Sequence, residues 1–538
     1  MSRLKHISSR RREEIHKAML GRLSTNLSSA KKQTTYATLL PGLIPASLAA
    51  IFVSLRIYHI TAYSLWGGEA FTMIGSRQDW RGMFSYIIDD IVHPPLIYIL
   101  LKLWLAIGGE SVLWLKLLPA IFGIAIIVPF FLLSRELNLK PLETSLALLI
   151  MGVNGYLIHY AQELRMYGMF AFWSLCSFWL FLRFFKATDS QRGILVALTV
   201  VNLLAIYSHY YGWLVVGMEF LYLLIWRRKI LAFGLSTSVL LLLFSPWAYF
   251  VVKEARSIGG LEQNLGWIPT PDVIDILNYY ATLIGPLGSR YVKLLGLMIF
   301  NAPLILWIWR VLRVGFESEN ENLIPLSWLS VLSFFPIIII YLISQKYPQA
   351  VFMDRYFIFV AIPYMILVAT AVARLPYKWI RNVWIMCMVV WSTIAGYNDL
   401  RTNRIAWMSP QMGSRIDWED MTRQLSKAES STEIPIKVYT LPIFSQGYIT
   451  GSWATSTSLE YFLDSLDDER FQMVYTPDLG TLLEKLEDDH FWIAYFVIAD
   501  WRQPSPASKL IEKGYRVGDE IVYDHLGNRI VLLPVWKK

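Results

Sequence analysis

Residues 63–96 read YSLWGGEAFTMIGSRQDWRGMFSYIIDDIVHPPL and lie between the first long apolar run and the next. The stretch holds Glu69, Asp79, Asp89, Asp90 and His93. Ionisable groups at a membrane are costly to keep and tend to mark function. The stretch therefore points to chemistry at the lipid–water boundary.

The rest of the chain supplies the membrane. Of 538 residues, 55% are hydrophobic and 17% charged, against roughly 45–50% and ~25% in soluble domains. Mean hydropathy is +0.42. Crossing ~30 Å of hydrocarbon takes about 17–25 apolar residues. Runs of that kind fall near 37–57, 112–134, 141–158, 166–185, 191–207, 211–226, 230–251, 291–310, 324–343, 356–373 and 381–397. The pattern predicts an α-helical multi-pass membrane protein of about 11–13 spans. Residues 94–107 (PPLIYILLKLWLAI) are apolar but only 14 long. That length predicts an interfacial or re-entrant segment.

Charge divides the chain. Residues 398–538 carry 15 Lys and Arg against 21 Asp and Glu, a net of −6, which leaves +14 for residues 1–397. Basic loops recur at Arg183/Lys186/Arg192, Arg227/Arg228/Lys229, Arg310/Arg313 and Arg374/Lys378/Arg381. The positive-inside rule places them in the cytoplasm, so nucleic acid is a poor partner for this charge. Residues 1–36, with nine Lys or Arg and two Glu, then form a basic cytoplasmic tail against anionic lipid. More spans follow, so the first apolar run is retained rather than cleaved. The connections 58–93, 159–165, 208–210, 252–290 and 344–355 face outward together, as does everything after Tyr397. Strand-like runs (KVYTL, FQMVYT, FWIAYFVIAD, RIVLLPV) alternate with helix-like ones in residues 398–538. They predict an extracytoplasmic α/β domain after a membrane domain over 37–397. Cys176 and Cys387 both lie in apolar runs and read as buried packing residues.

Four polar constellations carry chemistry. The first is the loop 58–93, whose Glu69, Asp89 or Asp90 can take a proton from a hydroxyl or amine. Asp79 reads as a solvated charge or a helix cap. The second is His159–Tyr167, where Arg165 can grip a phosphate bidentately and Glu163 reads as its ion-pair partner. The third is Tyr207–Tyr211, where His209 either meets phosphate or satisfies a turn. The fourth is Met353–Tyr356, with Arg355 as a second phosphate ligand. Two Arg and two His, with His93 the other, suit an anionic head group. A bilayer route to them suits an isoprenoid tail.

The order of these pieces resembles the GT-C glycosyltransferases. It resembles above all the family-39-like members, which include protein O-mannosyltransferases and lipid A aminoarabinose transferases. SLWGGEAFT, HPPLIYILLKLWLAIGGES, YAQELRMYGM, YSHYYGW and DRYFIF carry the likeness, over about residues 37–400. It implies a hexosyl or pentosyl transferase of the plasma (inner) membrane with an extracytoplasmic site. The donor is a polyprenyl-phosphate-linked sugar and the acceptor a lipid, glycan or protein. A carboxylate in the first outer loop drives inverting displacement. His93, Arg165, Tyr167, His209, Arg355 and Tyr356 would hold the donor. Some members use a divalent cation, but no cluster here has metal-site spacing. The resemblance also allows a membrane-protein partner. The family pattern in the first loop is usually Asp-Glu, where this chain has Gly68-Glu69. Glycine cannot act as a base. The base is then Glu69, by preference, or Asp89 or Asp90, or the chain is an impaired subunit that binds lipid as a scaffold.

Overall fold

The computed structural model describes residues 44–62, 64–188, 192–257, 268–285, 290–314, 323–347, 349–402, 418–429, 436–441, 443–445, 448–450, 452–466, 470–476, 478–498, 505–525 and 528–538. The expected basic tail 1–36 lies outside the described residues.

Helix α1 (Ile44–Ile57) leads into the polar stretch. That stretch, read as a loop, folds as two short helices, α2 (Gly67–Arg77) and α3 (Trp80–Asp90). Asp79 caps α3 by accepting from the Gly82 backbone N–H at 2.6 Å, which satisfies one orphan donor of the first turn. Helix α4 (Leu96–Gly108) has 13 residues. At 1.5 Å per residue it covers about 20 Å and falls short of a bilayer core. Helix α5 (Val112–Glu136) is long and apolar enough to cross.

The expected single span 141–158 is broken. Helices α6 (Pro141–Val153) and α7 (Gly155–Gln162) meet at 59°. Asn154-Gly155 explains the break, since both residues favour turns. The Asn154 side chain accepts from Leu157 N–H at 3.1 Å and donates to Leu283 O at 3.0 Å. A broken helix at membrane depth frees carbonyls that need donors. Buried Arg56 supplies them, donating to Met151 O and Gly152 O, each at 3.1 Å. Gln162 donates back to Arg56 O at 3.1 Å and Tyr58 O at 2.9 Å. These bonds fix the direction of α7 and of the segment 163–166 after it.

The remaining helices of the bundle are α8 (Tyr167–Lys186), α9 (Arg192–Ser208), α10 (Gly212–Trp226), α11 (Ile230–Ser257), α12 (Val273–Ile284), α13 (Arg290–Val314), α14 (Leu323–Lys346), α15 (Ile358–Ala373) and α16 (Lys378–Thr402). A 3-10 turn at Asp354–Phe357 precedes α15. Among the described residues, seven helices are long and apolar enough to cross a membrane, eight with the bent pair. Each of the eleven apolar runs is mostly helical where described, with breaks such as that at Asn154. Helix α15 (IFVAIPYMILVATAVA) is apolar on every face and is buried almost throughout, as such a sequence requires. Helix α11 instead exposes Leu231, Leu235 and Leu242, the face a bilayer would cover. Cys176 and Cys387 are free thiols.

Beyond the bundle, β1 (Ile436–Thr440), β4 (Phe471–Tyr475), β5 (His490–Ile498), β6 (Tyr515–Val517), β7 (Ile521–His525) and β8 (Asn528–Lys537) form one sheet of order β4-β1-β5-β8-β6, with β7 also on β8. Strand β1 is parallel to β4 and β5, while β8 is antiparallel to β5, β6 and β7. A hairpin of β2 (Ile443–Ser445) and β3 (Tyr448–Thr450) stands apart. Helices α17 (Trp418–Ala428) and α18 (Ser452–Ser465) connect this part to the polar stretch. Helix α18 packs on α2, with the Arg77 guanidinium 4.7 Å from the Tyr461 ring centroid. The Trp418 backbone N–H donates to Ser64 Oγ at 3.0 Å. The sheet region is thus docked on the helix that carries Glu69.

Candidate functional site

Connections from distant parts of the sequence meet at one end of the bundle. Tyr210 Oη donates to Ile91 O at 3.1 Å, and Tyr156 Oη donates to Asp354 O at 2.8 Å. Tyr211 Oη donates to Val351 O. The stretch 63–96, the segment 163–166, the α9–α10 connection and the turn before α15 therefore enclose one region.

Glu69 lies in the first turn of α2 and is only 2% exposed. Its Oε2 accepts from Trp66 N–H at 3.1 Å, and its Oε1 accepts from Leu164 N–H at 2.7 Å. Lys116 Nζ of α5 is 3.8 Å from Oε1. Glu69 thus ties α2, α5 and the segment 163–166 together. The Trp66 indole lies across Gly68, where an added Cβ would fall 2.5 Å from Cη2. The same indole donates from Nε1 to Glu163 Oε1 at 3.0 Å. A side chain at position 68 would displace a ring that is already engaged.

Arg165 is buried in this corner. Its Nη1 donates to Gly68 O and to Thr72 Oγ1, each at 2.8 Å, and its Nη2 is 2.6 Å from His93 Nε2. Its Nε has no hydrogen-bond partner among the described residues. His93 is held by Asp90, whose Oδ2 lies 2.5 Å from Nδ1 and accepts the His93 backbone N–H at 3.2 Å. Burial holds the His93 imidazole below its ordinary value, against the upward pull of Asp90.

The second half of the region is aromatic. The Arg355 guanidinium is 5.9 Å from the Tyr167 ring centroid and 5.6 Å from that of Tyr356. His209 stacks on Phe170 at 5.1 Å between centroids and lies 4.9 Å from Tyr356 and 6.2 Å from Tyr167. Its Nδ1 accepts from Tyr211 N–H at 3.1 Å. Burial pushes its pKa down to about 3, with His93, Arg355 and Arg165 adding to the effect. The cationic character of the region therefore resides in the arginines, and the two histidines are neutral.

The sequence-derived candidates separate on this geometry. His93, Arg165, Tyr167, His209, Arg355 and Tyr356 are brought together, with Glu69 and Asp90 at the edge. Asp89 is not: it is exposed and faces Glu254 of α11. Glu163, read as the partner of Arg165, bonds to Trp66 instead. Burial and neighbouring Glu69 push its pKa up to about 7. Trp66 was not legible as a site residue, because nothing in SLWGG marks a tryptophan that reaches across to the segment after α7. Among the described residues no three His, Cys, Asp or Glu side chains are placed to hold a metal ion.

A buried guanidinium surrounded by neutral acceptors can take an anion, and an imidazole beside it can take or hold a proton. No family model matches the sequence, and no curated protein matches it. Solved structures do. ArnT from Cupriavidus metallidurans, bound to undecaprenyl phosphate, aligns with a TM-score of 0.53 at 14% identity, covering 91% of this chain and 97% of that one. The apo form of the same protein gives 0.52 at 14% identity, covering 93% and 98%. The archaeal oligosaccharyltransferase AglB from Archaeoglobus fulgidus, in complex with an inhibitory peptide and a dolichol-phosphate, gives 0.51 at 13% identity, covering 92% and 74%. With the helical bundle, the gathered polar connections and the appended sheet, this chain shares the overall fold of ArnT and AglB.

Proposed function

We propose that the chain is a membrane glycosyltransferase that moves a sugar from a polyprenyl-phosphate-linked donor to an acceptor, with inversion at the anomeric carbon. Arg165 carries this reading. It is buried, makes no ion pair among the described residues and keeps Nε without a hydrogen-bond partner. Buried charges are otherwise paired. An anion that arrives with the substrate would complete it, and Arg355 stands within electrostatic reach of the same corner. Solved neighbours of this fold hold undecaprenyl phosphate and a dolichol-phosphate, the class of anion such a corner suits.

The chemistry asks little more of the protein. The acceptor atom gives up its proton and forms a bond to the anomeric carbon. The bond from that carbon to the phosphate oxygen breaks, and its electron pair leaves with the polyprenyl phosphate. Charge grows on the leaving phosphate, so fixed guanidinium groups stabilise the transition state. In this reading the site and residues 398–538 lie outside the plasma membrane and the N-terminus in the cytoplasm, an orientation that the recurring basic connections support. The docking of α18 on α2 sets the sheet region beside the site, a position from which it can present the acceptor.

A second reading has its own support. Gly68 offers no carboxylate, and Trp66 fills the space one would need. A scaffold that binds the lipid without transferring sugar fits that observation. Reconstitution in lipid nanodiscs with undecaprenyl-phosphate hexoses and pentoses separates the two. Transfer by the wild type, lost in Arg165→Ala, supports the enzyme; undecaprenyl phosphate binding without transfer supports the scaffold.

A further inference from the structure

The line Asp90–His93–Arg165 is not explained by phosphate binding alone. Asp90 ends α3, and Ile91 follows in the left-handed conformation at φ 51°. That turn brings His93 back over the Asp90 carboxylate, which accepts both its backbone N–H and its Nδ1–H. Pro94 and Pro95 follow and restrict the backbone at this point. The ring's partners assign its tautomer. Nδ1 carries the proton toward Asp90, so Nε2 presents a lone pair, and that lone pair faces Arg165 Nη2. In this state His93 has no proton to offer an anion at Nε2; it is an acceptor.

We infer that His93 Nε2 takes the acceptor's proton during transfer, that Asp90 positions the ring, and that Arg165 covers Nε2 until the donor phosphate draws the guanidinium away. The inference rests on the reading of the chain as a polyprenyl-phosphate sugar transferase. The acceptor O–H or N–H proton passes to Nε2. The acceptor's electron pair forms the bond to the anomeric carbon, and the pair of the breaking C–O bond leaves with the phosphate. The imidazolium then stands between the Asp90 carboxylate and the departing phosphate, each of opposite charge. A base aligned by a third group follows the usual logic of acid–base sites. Glu69 is a poor rival, because both of its oxygens already accept backbone N–H groups.

Several groups bear on the ring's titration. Asp90 faces it from α3, Arg165 from the segment after α7, Arg355 from the turn before α15 and His209 from the α9–α10 connection. Tyr86 and Tyr98 act on Asp90 and Arg165 from α3 and α4. The Phe71 ring of α2 is 6.3 Å away.

The test uses the full chain in nanodiscs, with undecaprenyl-phosphate hexoses and pentoses for transfer and undecaprenyl phosphate for binding. His93→Gln should cut transfer by about 10²–10⁴-fold, the usual contribution of a general base, while binding stays within about threefold. Added imidazole should recover about tenfold or more of the activity lost in His93→Gly, a rescue that a structural role would not give. Asp90→Asn should lower kcat and move the acid limb of kcat/KM to lower pH, since the carboxylate that favours the imidazolium is gone. His93→Gln with transfer within about threefold of wild type, or an acid limb unmoved in Asp90→Asn, overturns the inference while the transferase reading stands. A wild type that transfers from none of these donors overturns both.

Discussion

Glu69 at the start of α2 and Asp90 at the end of α3 belong to one polar stretch and carry the same functional group, yet they meet different partners. Glu69 accepts backbone N–H groups on both oxygens and lies near Lys116. Its charge is consumed in holding three segments together. Asp90 accepts from an imidazole whose other nitrogen points at a buried arginine. Its charge is passed on to a group that can titrate. The difference shows that a carboxylate's task is set by what donates to it, which composition and spacing do not disclose.

The largest effect that sharpens this comparison is on folding. Glu69→Ala would leave two buried N–H groups and Lys116 without their acceptor, a loss of about 3 kcal/mol or more. A thermal melt in detergent should show a markedly lower midpoint, whereas Asp90→Asn should melt close to wild type. Equal midpoints for Glu69→Ala and wild type would break the contrast. Glu69→Gln keeps an acceptor oxygen and should transfer within about tenfold of wild type; a fall of about 10²–10⁴-fold with the fold intact would make Glu69 the base after all.

Position 68 comes next. Gly68→Asp returns the common family residue but pushes against the Trp66 indole. Overpacking of this kind costs about 1–3 kcal/mol, and transfer should fall because Trp66 is driven off Glu163. A rise in turnover would mean instead that the wild-type site lacks a carboxylate that aspartate supplies.

Smaller effects concern charge. Glu163, with its pKa pushed up to about 7 by burial and Glu69, is ionised above that pH and then opposes an anion beside Arg165. Glu163→Gln should therefore strengthen binding of a polyprenyl phosphodiester a few-fold at pH 8 and leave it unchanged at pH 6, where the wild-type carboxyl is protonated. Equal affinity of the two proteins at both pH values would remove Glu163 from the anion's surroundings. Asp89→Asn, on the exposed face toward Glu254, should leave transfer and binding unaltered in the same assays.

Much of the architecture was legible because lipid imposes a length. Apolar runs such as 356–373 could hardly be anything but spans, and the strands KVYTL and RIVLLPV announced themselves by composition. The bend at Asn154 was missed because it lies within one continuous apolar run; only the Asn-Gly pair signalled it. Strands β6 (YRV) and β7 (IVYDH) are short, and both pair with β8. In the site, Arg165 and Arg355 stood out as charges among apolar neighbours. The bond from Trp66 to Glu163 joins residues 97 positions apart, a separation over which no local pattern carries information.

Saturation binding of undecaprenyl phosphate to the purified full chain, compared with Arg165→Ala and Arg165→Lys, tests the central claim most directly. Charge-assisted hydrogen bonds contribute about 1.5–3 kcal/mol each. Arg165→Ala should therefore bind at least about tenfold more weakly than wild type, with Arg165→Lys in between, because lysine keeps the charge and loses the fork. Wild-type affinity in a folded Arg165→Ala variant would contradict the account.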